Sequence, residues 1–229
     1  MASFFAQALA ETLWPTRCVL CDVAGSLLCA DCMRALPFID FYQACPVCGA
    51  PWGRIQCDSC NAVARQSKPI ASPCRSCLEY NEASARIVKT YKDNGEQRLC
   101  SIMASMMARI VDPSWIGWAQ AVTFVPATPY ALRKRGFDHA RLLAQAFARE
   151  TGLACIGLVE QAHAADQRRL DRAQRALNIA GRFRAPRAAG FDRVIVIDDV
   201  TTTGATLAGA QEALARVQCA SKLVTFARV

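Results

Sequence analysis

Two adjacent carboxylates, Asp198 and Asp199, are followed by three threonines, a glycine and a further threonine: Val200-Thr201-Thr202-Thr203-Gly204-Ala205-Thr206. Carboxylates accept hydrogen bonds from vicinal hydroxyls. A hydroxyl-rich turn running into a helix offers O–H and N–H donors to an anion, helped by the positive end of the helix dipole. Together these groups fit a phosphorylated sugar, with its diol on the acids and its phosphate on the loop. No Lys follows Gly204, so this is not a Walker loop, and the glycines of a dinucleotide fingerprint are missing. The blander reading is a buried strand that ends in a solvated acidic turn.

The elements that must position these groups can be read around them. Val194-Ile-Val-Ile197 is β-branched throughout, as expected of a strand covered on both faces in a parallel sheet. In open α/β sheets the carboxyl ends of such strands are where ligands bind. The apolar pattern resuming at Leu207 predicts a helix. From about Pro73 onward strand-like and helical stretches alternate, which predicts a mostly parallel sheet with helices on both faces. Cys74–Tyr80 reads as its opening strand, Ala83–Tyr91 as a helix and Tyr91–Gly95 as a polar turn, with Lys92 either reaching a phosphate or merely solvated. Ala121–Val125 reads as a second strand. After it Leu132–His139 is expected to form a flexible basic loop, and Arg133, Lys134 and Arg135 could clamp pyrophosphate, where Arg forks and Lys point charges complement each other. His139 is a proton shuttle on one reading and a capping or surface residue on the other. In Gln167–Asn178, Arg168, Arg172 and Arg175 would share one helical face, as an acceptor hood, a nucleic-acid contact or a plain solvated helix.

A second set of chemically capable residues lies upstream. Cys18-x-x-Cys21 and Cys29-x-x-Cys32 are seven residues apart, and Cys45-x-x-Cys48 and Cys57-x-x-Cys60 are eight apart. Each turn offers two thiolates, and two turns complete a closed tetrahedral zinc site. Two structural zinc ions are therefore expected, with interleaved pairing of the four turns left open. A redox role would call for a lone pair at a helix start. Cys74 and Cys77 lack a partner pair and read as strand residues, while Cys100, Cys155 and Cys219 read as small core residues.

The Val194–Leu207 segment resembles the phosphoribosyl-pyrophosphate signature of type I phosphoribosyltransferases. With Ala71–Leu99, Val125–Ala144, Gln167–Phe183 and the cysteine head, the chain resembles the ComF (GntX-like) family, which is linked to DNA uptake and competence. The resemblance implies a type I phosphoribosyltransferase-like α/β domain behind a zinc-ribbon head. It implies ribose-binding roles for Asp198 and Asp199 and a 5-phosphate cradle at Thr201, Thr202, Thr203, Gly204, Ala205 and Thr206. It also implies a Lys-and-Gly turn beside the site, matched by Lys92, and magnesium bound with phosphoribosyl pyrophosphate. Purine-salvage relatives place an acid in the loop where this chain has Thr202, so their proton-transfer residue is missing.

The expected layout is an N-terminal helix over 1–16, a double zinc ribbon over 17–72 and the phosphoribosyltransferase-like domain over 73–229. The alternative to the N-terminal helix packing on the body is attachment to a membrane surface. No apolar run reaches the roughly 20 residues of a span, and the start lacks the basic head of a secretion signal, so the cytoplasm is the expected compartment. Charge is uneven: residues 81–229 carry 21 basic and 13 acidic side chains, the whole of the +8 excess. That excess suits phosphates or nucleic acid, or is a solvated face. Two functions are therefore expected to compete. One is phosphoribosyl transfer to an unknown acceptor. The other is a non-catalytic competence factor that uses the pocket for sensing while handling single-stranded DNA or competence-machinery proteins.

Overall fold

The computed structural model describes residues 15–54, 57, 60, 73–162, 182–188 and 190–229. The expected N-terminal helix and the Arg168–Arg175 face lie outside them.

Strand β1 (Cys74–Glu79), β2 (Ala121–Phe124), β5 (Arg193–Thr201) and β6 (Ala220–Arg228) form one sheet in the order β1-β6-β5-β2, every pair parallel. A short antiparallel pair, β3 (Glu160–Gln161) with β4 (Phe183–Arg184), stands apart. The β-branched run does what its composition predicts. Ile195 and Ile197 pack with helices α3 (Leu99–Arg109) and α6 (His139–Thr151) on one face, while Val194 and Val196 pack with α7 (Ala205–Ala215) on the other. Helices therefore cover both faces. Leu143 and Phe147 of α6 are completely buried, and each contributes about 1.5–3 kcal/mol through burial.

Helix starts follow their caps. Asn81 and Ser84 form a reciprocal capping box ahead of α2 (Glu82–Lys92), Asp112 caps α4 (Pro113–Trp118), and Asp138 accepts from the Arg141 N–H at the start of α6. The expected basic loop is instead helical. Thr128 caps α5 (Pro129–Arg135), Pro129 takes the first turn and Gly136 closes it at φ 78°. Arg133, Lys134 and Arg135 form its last turn, where cations complement the helix dipole. His139 is neither cap nor surface residue. Asp138 is the cap, and His139 is the buried first residue of α6.

The cysteine segment, with helix α1 (Ala30–Arg34), lies along the outer edge of β1. Ile39 N–H donates to Cys77 O at 3.0 Å, Glu79 N–H to Pro37 O at 2.9 Å and Cys74 N–H to Val47 O at 2.9 Å. An edge strand that would present unpaired N–H groups is thereby covered. This explains why Cys74, Cys77 and Leu78 are all fully buried. Leu28 and Leu36 join the core on the α3 face, so metal is not the only thing holding this segment.

Candidate functional site

Strand β5 carries the acids further than the sequence suggests. Asp198 and Asp199 are within it, Thr201 is its last residue, and the turn proper is Thr202–Gly204. Successive residues point to opposite faces. Asp199 thus shares the α6 side with Ile197, and Asp198 stays on the α7 side with Val196. Both are buried, at 8% and 4% exposure. Asp198 Oδ1 accepts from the Asp199 N–H at 2.9 Å, and Asp199 Oδ1 from the Val200 N–H at 2.8 Å. Burial, with the Asp199 carboxylate next door, pushes the Asp198 carboxyl well above the usual carboxylate range.

Asp199 Oδ2 is where elements distant in sequence meet. Lys92 Nζ, from the last residue of α2, is 3.0 Å away, and His139 Nε2 is 3.7 Å away. Among the described residues no hydrogen bond of good direction reaches this oxygen, so Lys92 neutralises it as a charge rather than as an aligned donor. Arg135 bridges α5 to this group, with Nη1 3.3 Å from His139 Nδ1 and Nη2 3.3 Å from Asp93 Oδ1. Tyr91, expected in a polar turn, is fully buried and donates its hydroxyl to His139 O at 2.6 Å. Burial holds the His139 imidazole below its ordinary value. Asp199 opposes that shift, and the Arg135 and Lys92 charges add to it. His139, Asp198 and Asp199 lie close enough to share an ion. A cation there would have to displace the Lys92 ammonium, so this is a poor metal site.

The loop meets the requirements of an anion cradle. Gly204 adopts φ 75°, where residues with a Cβ are strained, and the first bond of α7 runs from the Ala208 N–H to Gly204 O. The Thr206 and Leu207 N–H groups precede that bond and have no helical acceptor. Thr203 Oγ1 accepts weakly from the Ala205 N–H at 3.4 Å, Thr202 and Thr203 are exposed, and the buried Thr201 hydroxyl has no partner. Lys92 turns to Asp199, and Arg135 to Asp93 and His139. Arg133 and Lys134 point into solvent, with no ion pair among the described residues.

A cavity of about 710 Å³ opens on the other side of the Phe137-Asp138 turn. Phe124, Leu132, Phe137, Leu142, Arg141 and Gln145 are among its lining residues. It is lined by neither the acids nor the threonine loop, so it is a neighbour of the site and not the site itself.

The cysteines converge in sequential order: Cys18, Cys21, Cys29 and Cys32 in one cluster, Cys45, Cys48, Cys57 and Cys60 in the other. Interleaved pairing is thereby ruled out. Sγ–Sγ distances of 3.7 Å (Cys21–Cys29) and 3.3 Å (Cys48–Cys57) approach the about 3.8 Å expected for thiolates around one tetrahedral zinc. Left to themselves, four thiols cannot all ionise. The neighbouring thiols Cys29 and Cys21 push Cys32 up to about 12. Cys18 falls to about 6 because backbone N–H donors outweigh its burial. A divalent cation resolves that conflict, so the donor set fits zinc. Cys74 and Cys77 belong to neither cluster, and burial pushes both thiols up to about 12.

No family profile matches the chain. It is 25% identical to the DNA utilization protein YhgH of Salmonella typhi over 88% of its own length and 92% of that protein's. It is 23% identical to the competence protein ComFC of Streptococcus pneumoniae, over 80% and 78% of the two chains. A solved glutamine phosphoribosylpyrophosphate amidotransferase from B. subtilis, complexed with ADP and GMP, matches 55% of this chain and 25% of its own, with 19% identity and a TM-score of 0.38. Among the described residues no helix is long and apolar enough to cross a membrane.

Proposed function

We propose that this chain, a distant relative of ComFC and YhgH, is a phosphoribosyltransferase-like protein that binds phosphoribosyl pyrophosphate in the service of DNA uptake or utilization. One observation carries the reading. Two buried carboxylates at the carboxyl end of β5 lead directly into a threonine turn and the unpaired N–H groups that start α7. Asp198 and Asp199 accept from the ribose diol, and Thr201–Thr206 hold the 5-phosphate. Lys92 and Arg135 take the pyrophosphate, with the exposed Arg133 at the entrance. Departure of pyrophosphate leaves positive charge on the sugar, and two fixed carboxylates favour that charge without reorganising. Magnesium, when bound with the pyrophosphate, would neutralise the leaving group while keeping most of its waters. The adjacent cavity is the space we assign to the acceptor. Eight cysteines would hold two structural zinc ions, chemistry that belongs to a reducing compartment, and we place the protein in the cytoplasm.

Calorimetry with magnesium present tests the site without an acceptor. Changing both Asp198 and Asp199 to Asn keeps the shape and removes the charge. With about 1.5–3 kcal/mol per charge-assisted bond, phosphoribosyl pyrophosphate should bind well over tenfold more weakly while zinc content and folding persist. Unchanged affinity refutes the assignment.

A second reading draws on the unpaired, exposed Arg133 and Lys134 beside the site. It makes the protein a handler of single-stranded DNA that senses a phosphosugar without turning it over. DNA affinity should then be weak and fall steeply between 50 and 200 mM salt, as expected for phosphate contacts. Binding that is flat in salt, or absent at low salt, removes it.

A further inference from the structure

Arg135 can only donate, so the His139 Nδ1 that it meets at 3.3 Å must be the acceptor. The ring proton is therefore on Nε2, facing Asp199 Oδ2 at 3.7 Å. Lys92 holds the same oxygen at 3.0 Å. Burial is the main force that keeps the imidazole neutral, and two cations add to it, one occupying its free nitrogen and the other satisfying the carboxylate that would otherwise attract a second proton. These are the same two cations, Lys92 and Arg135, to which the proposed function gives the pyrophosphate. We infer that His139 is a proton-linked positioning residue: when a polyphosphate draws Lys92 and Arg135 away, His139 takes one proton from solvent at Nδ1 and replaces Lys92 as the cation that fixes Asp199.

The proton balance is simple. Nδ1 loses a hydrogen bond from Arg135 and gains the proton, Nε2–H closes on Asp199, and no bond to ligand forms or breaks. Asp199 on β5 and Asp138 at its own helix start attract the proton, while Lys92 on α2 and Arg135 on α5 are the charges that oppose it. The Tyr91 hydroxyl is tied to the His139 carbonyl and leaves the ring free. Burial also disfavours the proton, and loss of the two opposing charges removes the part of the barrier that a ligand can reach. The exchange also gives a use to a histidine in a site whose loop has Thr202 in place of an acid. The ligand's identity rests on the phosphoribosyl reading, but the coupling among Lys92, Arg135 and His139 does not.

Two measurements separate them. The chain has two histidines, so His139→Gln assigns the imidazole resonances by elimination. In the ligand-free parent, His139 should titrate below its ordinary value of about 6.5. Lys92→Gln and Arg135→Gln should each raise it. A midpoint that neither variant moves overturns the coupling. Calorimetry with magnesium and phosphoribosyl pyrophosphate, run near pH 7 in buffers of different ionisation enthalpy, should show proton uptake in the parent and none in His139→Gln. Binding without uptake in the parent overturns the proposal. Failure to bind at all overturns the phosphoribosyl reading instead, and magnesium pyrophosphate then serves as the probe of uptake.

Discussion

The cysteine head and the carboxylate site solve opposite electrostatic problems. Each cysteine cluster draws its four ligands from one stretch of 15 or 16 residues. The carboxylate site gathers Lys92, Arg135, His139 and Asp199 from across more than 100 residues, and the countercharges come with the fold. A locally built anionic cluster needs an external ion and fails without it. A site assembled from distant elements is neutral on its own, and a ligand must rearrange it. The head should therefore respond strongly to metal, and the site should respond subtly to charge.

The largest effect expected is on the head. Metal analysis should find two zinc ions per chain, and Cys48→Ser should lose one of them. Structural zinc contributes on the order of 10 kcal/mol in small metal-folded units. Chelation should thus lower Tm more than any substitution at the carboxylate site. Cys74→Ser with Cys77→Ser should leave the metal content at two, and loss of an equivalent would mean the ligands are misassigned.

A smaller break is predicted where the second cluster meets the sheet. Gly49 has φ 72°, and a Cβ there would stand 2.7 Å from Cys74 O. Gly49→Ala should cost about 1–3 kcal/mol in denaturant unfolding with zinc retained. A neutral result would mean that the contact between head and strand is loose.

The smallest effect has the opposite sign. Asp198 has its carboxyl raised in the folded protein, so the folded state resists its ionisation. That carboxyl costs stability at pH 7, and the cost shrinks as pH falls from its raised folded value toward the ordinary carboxylate value of about 4, below which the folded and unfolded chains are both protonated. Asp198→Asn, which can still accept from the Asp199 N–H, should therefore raise Tm at pH 7 and lose that advantage below about pH 4. A variant less stable at pH 7 would show that Asp198 is structural and not held under strain for a ligand.

The same contrast governs what could be read from the sequence. The cysteine spacing, the β-branched run of β5 and the acid-threonine-glycine turn are local patterns, and each describes its own surroundings. Arg133–Arg135 is helical and not the loop expected from its charge, because Thr128 caps, Pro129 starts and Gly136 stops a helix around it. Nothing near His139 in sequence announces that its imidazole is buried against a strand 60 residues on. Tyr91 and Lys92 looked like the rim of a polar turn. One is in the core and the other reaches β5, because α2 packs its last turn over the carboxyl end of the sheet.

The strand order carries a consequence for how the molecule is made. β6, the last of the four strands in the chain, stands between β1 and β5, so β1 has no sheet partner until Ala220–Arg228 has been synthesised. Arg228 then places Nη1 2.9 Å from Cys48 O, a contact spanning 180 residues. At about 5–20 residues per second the head would leave the ribosome many seconds before the partner that seats its edge. A ribosome that stalls short of β6 would release a chain with cysteine clusters able to load metal and no sheet to rest on, a natural substrate for chaperones and proteases.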